Sequence, residues 1–315
     1  MFDFFGVVML LALLSLFVWL TRRSWRASRK WLKWTATPLS ALATLIFFLA
    51  LGAALFGFYL LNRNYDNPPS AVAVQPTSEE MAFAEKYLLL CAGCHSPDEE
   101  LPLVGNDFLA EDEAPPIGTF YAPNLTPVHL GDWSDGEIIR AIREGVHRSG
   151  RSLLIMPSET FGKLSDAHVR ALVTVLRRQQ SEGKDTPPAR LNVLGALMSI
   201  PAPIFAVQPA IASPVEAPAR GPTAAYGAYL ASITCALCHG ADLRGNEEFE
   251  VPGLTLAGET WRAEQFVEFI RTGVKPNGVV SDTEVMPWET LSAVFSDDED
   301  LLAIFAHMSE IAGAE

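Results

Sequence analysis

The chain has 315 residues, 23 of them Lys or Arg and 37 Asp or Glu, for a formal net charge of −14 at pH 7. This length points to two or three folded units. The first 64 residues hold seven of the basic residues and one acid, which leaves 16 basic and 36 acidic residues beyond them. So acidic a remainder excludes nucleic acid as a partner and would attract a basic protein.

The chain opens with two apolar stretches. Phe4 to Leu20 is uncharged over 17 residues, and Thr35 to Leu61 over 27. Both lengths suit membrane spans, with helices expected at about 4–20 and 38–61. Between them lies a basic loop, 21–34, carrying Arg22, Arg23, Arg26, Arg29, Lys30 and Lys33 with Trp25, Trp31 and Trp34. Short loops rich in Lys and Arg stay cytoplasmic, and tryptophan suits the headgroup level. Residues 1–64 are therefore expected to form a transmembrane hairpin in a bacterial inner membrane, with everything after about residue 62 on the periplasmic side. A cleaved signal peptide followed by one anchor is the alternative. It requires positive charge before the first apolar run, where only Asp3 stands.

A linker at 65–79 leads into a repeat. Tyr87-Leu88 precedes Cys91-Ala92-Gly93-Cys94-His95, and Tyr229-Leu230 precedes Cys235-Ala236-Leu237-Cys238-His239. Pro123-Asn124-Leu125-Thr126 matches Pro252-Gly253-Leu254-Thr255. Trp133 leads Arg143-Glu144-Gly145-Val146 as Trp261 leads Arg271-Thr272-Gly273-Val274. Met156-Pro157 matches Met286-Pro287. Landmarks in one order mean two homologous domains, placed at 80–182 and 223–315. The first has a longer excursion after its cysteines, from Asp98 to Pro116.

Both domains read as all-α. Thr77 with Glu80, Ser134 with Glu137, and Ser296 with Glu299 form capping-box patterns. Trp133 and Ile138 stand at staple positions, and Gly145 at a helix stop. Val169, Leu172, Val173 and Leu176 follow helical spacing after Ser165, and Leu301, Ile304, Phe305 and Met308 do so in the second domain. Residues 183–222, with eight prolines, form the connection. Its uncharged part, Leu191 to Ala212, has too many prolines for a third span and reads as an extended linker packed on a domain or a partner subunit.

The four cysteines are used up by two C-x-x-C-H elements, leaving none for a separate disulfide framework. In this element two thiols add to haem vinyl groups and the adjacent histidine becomes the iron's proximal ligand. The reading is two covalently bound haem c groups, on Cys91 and Cys94 with His95, and on Cys235 and Cys238 with His239. A single zinc site built from all four cysteines would need half-sites far apart in sequence and would leave both histidines unexplained. Met156 and Met286 are the expected sixth ligands, since Met/His ligation suits electron transfer. They stand 23 and 25 residues after equivalent tryptophans, whereas Met81, Met198 and Met308 have no counterparts. His147 is the rival to Met156. His129, His168 and His307 read as surface or packing residues. Tyr87, Tyr229, Trp133 and Trp261 read as core aromatics, with a role as electron bridges as the alternative. Pro123, Leu125, Pro252 and Leu254 are placed on the proximal side of the haem. Arg143 and Arg271 either contact haem propionates or face water at helix ends.

These residues give the soluble part a resemblance to the cytochrome c superfamily, over roughly residues 80–315. The Ala122–Pro127 segment, the Gly131–Gly136 run, Arg143-Glu144-Gly145-Val146 with Met156-Pro157, and Gly227–Leu230 before the second cysteine pair resemble the mono- and dihaem cytochromes that accept electrons from periplasmic dehydrogenases. Those subunits usually carry three modules and no hairpin of this form. Two spans followed by two haem modules are similar to the dihaem subunit of cbb-type haem-copper oxidases. The resemblance implies a one-electron carrier and no catalytic residue. Its partners would be a dehydrogenase, a quinol-oxidising complex, a terminal oxidase or a reaction centre, in a respiratory or photosynthetic chain. A dihaem peroxidase-like enzyme is the alternative.

Overall fold

The computed structural model describes residues 3–107, 116–200, 207–247, 250–283 and 285–313. Pro201 and Pro203 of the connection, and residues 108–115 of the first domain's excursion, lie outside these. The described residues are mostly helical, with strands only two residues long. The chain divides into two compact units.

The first unit joins Met1–Tyr65 to Asp107–Ala122 and Thr186–Ile204. Helices α1 (Phe4–Trp25) and α2 (Lys30–Asn62) pack along each other and are both long and apolar enough to cross a membrane. Their contact buries Val7, Leu10, Leu51, Ala54 and Phe58, while Phe5, Trp19, Leu39 and Phe48 point outward. The segment expected to be a basic loop is mostly helical, and only residues 26–29 turn. Ala, Leu, Lys and Arg are all good helix formers, so charge alone does not stop α1 or delay α2. With 33 residues, α2 is about 50 Å long, so its basic end extends beyond a hydrocarbon core of about 30 Å. Pro38 sits inside α2 without ending it. Thr37 donates to Ser24 across the helix pair at 3.0 Å.

The uncharged connection is also more ordered than an extended linker. Strand Gly118–Thr119 pairs antiparallel with Arg190–Leu191, and Asn192 then caps a short helix, Val193–Met198, through Gly195 N–H at 3.1 Å. That helix packs on α2, burying Ala196 completely. It is α9 in chain order, after six helices of the first module.

The second unit holds both repeats. The first module comprises α3 (Ser78–Tyr87), α4 (Leu89–His95), α5 (Pro127–Leu130), α6 (Asp135–Glu144), α7 (Ser158–Phe161) and α8 (Asp166–Arg178). The second comprises α10 (Ala224–Ile233), α11 (Ala236–His239), α12 (Thr255–Thr260), α13 (Ala263–Thr272), α14 (Trp288–Val294) and α15 (Asp298–Ala312). In each module the first helix packs on the last, α3 on α8 and α10 on α15. The capping boxes at Thr77/Glu80 and Ser134/Glu137 are both closed. The third is displaced: α15 is capped by Asp297, whose carboxylate accepts Glu299 N–H at 3.0 Å, while Ser296 accepts a hydrogen bond from Lys86. An aspartate is as good a cap as serine and carries favourable charge at a helix N-terminus. Gly145 and Gly273 end α6 and α13 at φ 67° and 70°, the left-handed conformation that only glycine adopts cheaply.

The later part of the connection straps back onto the first module. Glu144, 4% exposed, accepts from Asn67 Nδ2 at 2.7 Å and from Ile211 N–H at 3.1 Å. Val215 and Asp166 exchange hydrogen bonds at 2.8 and 3.4 Å.

Candidate functional site

Each C-x-x-C-H element lies at the end of a short helix following the first helix of its module. In α4, Cys91 and Cys94 are three residues apart and so share a helix face, with His95 one turn from Cys91. In the second module Cys235 caps α11, and its carbonyl accepts from both Cys238 and His239 N–H, at 3.2 and 2.9 Å. All four thiols are free. Cys91 and Cys235 are half-buried against the core, whereas Cys94 and Cys238 are exposed. Burial pushes the Cys91 thiol up to about 12 and raises the other three. No three His, Cys, Asp or Glu side chains converge to hold a metal among the described residues.

The two histidines are held alike. His95 Nδ1–H donates to the Pro123 carbonyl at 2.7 Å, and His239 Nδ1–H to the Pro252 carbonyl at 2.7 Å. This second bond fixes the tautomer that leaves a lone pair on Nε2, the arrangement an imidazole ligand requires. Both rings are buried, at 8% and 7% exposure. Burial lowers the His95 pKa to about 4, against a smaller upward pull from the Pro123 hydrogen bond, and lowers that of His239 for the same reason. Neutral rings are what a metal needs. His239 Nε2 is buried with no hydrogen-bond partner among the described residues. An orphaned acceptor beside two thiols fits a haem iron. The prolines singled out in the sequence thus act through their carbonyls, a role that residue type alone does not reveal.

The carbonyl of Pro123 is positioned by a turn found in both modules. Leu125 N–H donates to the Leu103 carbonyl, and Leu254 N–H to the Leu243 carbonyl, each at 2.8 Å. The methionine loops are equally alike. After the glycine caps, bridges form at Val146–Ser152 and Val274–Val280. Each methionine carbonyl accepts the N–H two residues on, Ser158 at 2.8 Å and Trp288 at 2.7 Å. Pro157 and Pro287 have φ and ψ of −79°, 58° and −76°, 60°. Met156 and Met286 are half-buried against the core in both cases. Ile155, just before Met156, adopts φ 62° and is 58% exposed. A β-branched residue in the left-handed region is strained, as happens at ligand-holding loops.

His147 occupies the position of Lys275 in the equivalent bridge. Its Nδ1 bonds to Ser149 Oγ at 2.8 Å, and its ring meets Trp133 edge-on. Burial, reinforced by Arg151, lowers its pKa to about 3. His129 pairs with Asp185 at 2.5 Å. Arg143 does not face water: it is 2% exposed and pairs with Asp166 at 2.8 Å, leaving Nε and one terminal nitrogen without partners among the described residues. Arg271 pairs with Asp298 at 2.8 Å and donates to the Ser292 carbonyl.

Residues 222–308 match the family described as cytochrome C oxidase, cbb3-type, subunit III. The second module is thus a cytochrome c domain. A cytochrome c domain carries haem c covalently, and the buried neutral histidines beside paired thiols fit that group. The chain is similar to a nicotinate dehydrogenase subunit of Pseudomonas putida, at 27% identity over 236 residues, 65% of this chain and 20% of that protein. It is also similar to the gluconate 2-dehydrogenase cytochrome c subunit of Pantoea cypripedii, at 31% identity over 110 residues, 33% of this chain and 24% of that protein. The chain thus spans a quarter or less of the length of these relatives. It resembles dehydrogenase cytochrome subunits.

The tyrosines carry a feature that sequence reading missed. Tyr87, 1% exposed, donates to the Ile233 carbonyl of the second module. Its repeat counterpart Tyr229 bonds to His168 Nδ1 at 2.6 Å and accepts Ser165 N–H at 3.1 Å, both in the first module. His168 stacks on Phe83 with ring centroids 4.2 Å apart. The equivalence of the two tyrosines was legible, but that each serves the opposite module was not.

Proposed function

We propose that the cytochrome is a dihaem electron carrier. One haem is attached at Cys91 and Cys94 with His95 and Met156 on its iron, and the other at Cys235 and Cys238 with His239 and Met286. The observation that carries this is the duplicated histidine geometry, a ring fixed by a proline carbonyl at the same 2.7 Å in both modules. The haem supplies reversible one-electron chemistry. The chain's own residues orient the axial rings, keep them neutral, and bury each cysteine–histidine element against a helical core. The chain takes electrons from a membrane or periplasmic donor, a dehydrogenase by analogy with the relatives' names, and passes them to an acceptor in a respiratory or photosynthetic chain. The acidic surface beyond residue 64 suits basic faces on these partners. Helices α1 and α2 cross the inner membrane with their basic turn in the cytoplasm and both haem modules in the periplasm.

Mass spectrometry of the denatured, full-length protein tests the count. Two haem adducts are expected, and one in the Cys235→Ala/Cys238→Ala variant. A methionine-to-iron charge-transfer band in the oxidised protein should weaken in Met156→Ala and again in Met286→Ala. A single haem in the wild type, or no such band, would overturn the reading.

A further inference from the structure

The short helix α9 has a face that electron transfer does not use. Its inner side is in direct backbone contact with the hairpin: a Cβ added at Gly57 would fall 2.1 Å from the Ala196 carbonyl oxygen. Val193 N–H donates at 3.1 Å to the Asp3 carboxylate that also caps α1. Its outer side carries Leu194 and Met198, one turn apart, 44% and 47% exposed, followed by Ile200 at 37%. A helix in water places polar residues opposite its packed face, whereas apolar residues on both faces belong to a helix in an apolar medium. No charged residue occurs from Leu191 to Val215.

The depth of the contact is also informative. α9 meets α2 at Gly57, four residues before Leu61, where the apolar stretch ends. At 1.5 Å per residue this lies about 6 Å inside that end. Interfacial helices sit about 5–10 Å into the headgroup and acyl boundary. On α1 the contact falls on the first turn, where a Cβ at Gly6 would lie 2.5 Å from Val193 Cγ2. The backbone entering the segment is satisfied, as a site away from water demands. Asn192 N–H donates to the Ile117 carbonyl at 2.9 Å, and its side chain to the Pro116 carbonyl at 2.7 Å.

We infer that α9 is an interfacial anchor. Leu194, Met198 and Ile200 lie in the headgroup–acyl boundary of the bilayer at the outer end of the hairpin, a third membrane attachment made by the chain between the two haem modules. The inference rests on the reading of α1 and α2 as spans. The ligand is the apolar edge of the bilayer, without preference for anionic lipid.

Nitroxide labels test this on the full-length, haem-loaded protein, whose native thiols are consumed by haem. Leu194→Cys and Met198→Cys are compared with Phe48→Cys on the outward face of α2 and Glu264→Cys on the exposed face of α13, in nanodiscs of phosphatidylcholine and phosphatidylglycerol. Labels at 194 and 198 should collide readily with dissolved oxygen. Their accessibility to a water-soluble nickel chelate should be several-fold below that at 264. Nickel accessibility at 194 and 198 equal to that at 264, with 48 still shielded, overturns the anchor alone. Exposure at 48 as well overturns the membrane hairpin, and the anchor with it.

Discussion

Replacing Tyr229 with Phe removes one oxygen from the junction of the two modules and little else. Tyr229 is 8% exposed, Ser165 2% and His168 7%. Burial raises the Tyr229 phenol and holds His168 down to about 4, so at neutral pH the phenol donates to a neutral ring and accepts Ser165 N–H. The substitution strands a buried donor and a buried acceptor at once. Leaving a buried group unpaired costs about 1–3 kcal/mol, so the pair costs about 2–6 kcal/mol. For a cooperative unit of roughly 200 residues, each kcal/mol moves the midpoint by about 2–4 °C, giving a fall of roughly 4–24 °C. Thermal unfolding of the haem-loaded protein, followed by far-ultraviolet circular dichroism, measures it. Tyr226→Phe is the control: Tyr226 stacks in the same cluster, at 6.3 Å from Tyr229, but its hydroxyl has no hydrogen-bond partner among the described residues. Unfolding midpoints equal for wild type and Tyr229→Phe, or an equal drop in both variants, would refute the reasoning.

The same junction predicts a pH dependence. The folded His168 titrates near 4 and the unfolded one near 6.5, so as pH falls the unfolded chain takes up the proton first. Its contribution is intact above about pH 6.5 and is lost progressively down to about pH 4, by about 3 kcal/mol in all. Denaturant titrations should show a shallower loss over that window in His168→Phe than in wild type, and parallel curves would contradict it. Ser134→Ala opens the capping box of α6 and should destabilise the second unit by about 1 kcal/mol in the same assay. Gly57→Leu drives a side chain into the Ala196 carbonyl, so hydrogen exchange at residues 193–199 should accelerate while exchange in α8 and α15 stays unchanged. Unchanged exchange in α9 would mean that the close approach does not hold it.

Much of the second unit was legible because its signals are local and repeated. Thr77, Ser134 and Ser165 cap helices by side chains reaching their own N–H groups, and Gly145 must take a left-handed conformation. Such features depend on a few neighbours in sequence. The methionine and cysteine elements stood out in the sequence because they occur twice in one order. What was missed depends on contacts distant in the chain. Nothing local to Leu191–Met198 says that a glycine at 57 leaves room for it, and proline count alone favoured an extended path. The burial of Arg143 is set by Asp166 on another helix, 23 residues away. The roles of Pro123 and Pro252 lie in backbone carbonyls, which side-chain patterns do not report.

Duplicated helical modules could behave as independent beads on a string, and the packing here argues otherwise. One continuous core runs through Tyr87, Leu88, Leu172 and Leu176 of the first module and Tyr229, Leu230, Leu301 and Ile304 of the second. Helix α14 of the second module packs on α3 and α4 of the first, and α10 on α7. The helix that ends in His95 therefore rests partly on the opposite module. Both crossing tyrosines come from the helices that lead into the cysteine pairs. On the proposed dihaem reading, loosening either module should loosen the bed of the other's haem. A single unfolding transition follows, in which the two haem environments are lost together. Two resolved transitions, with one haem environment surviving the first, would show that the shared core does not couple them.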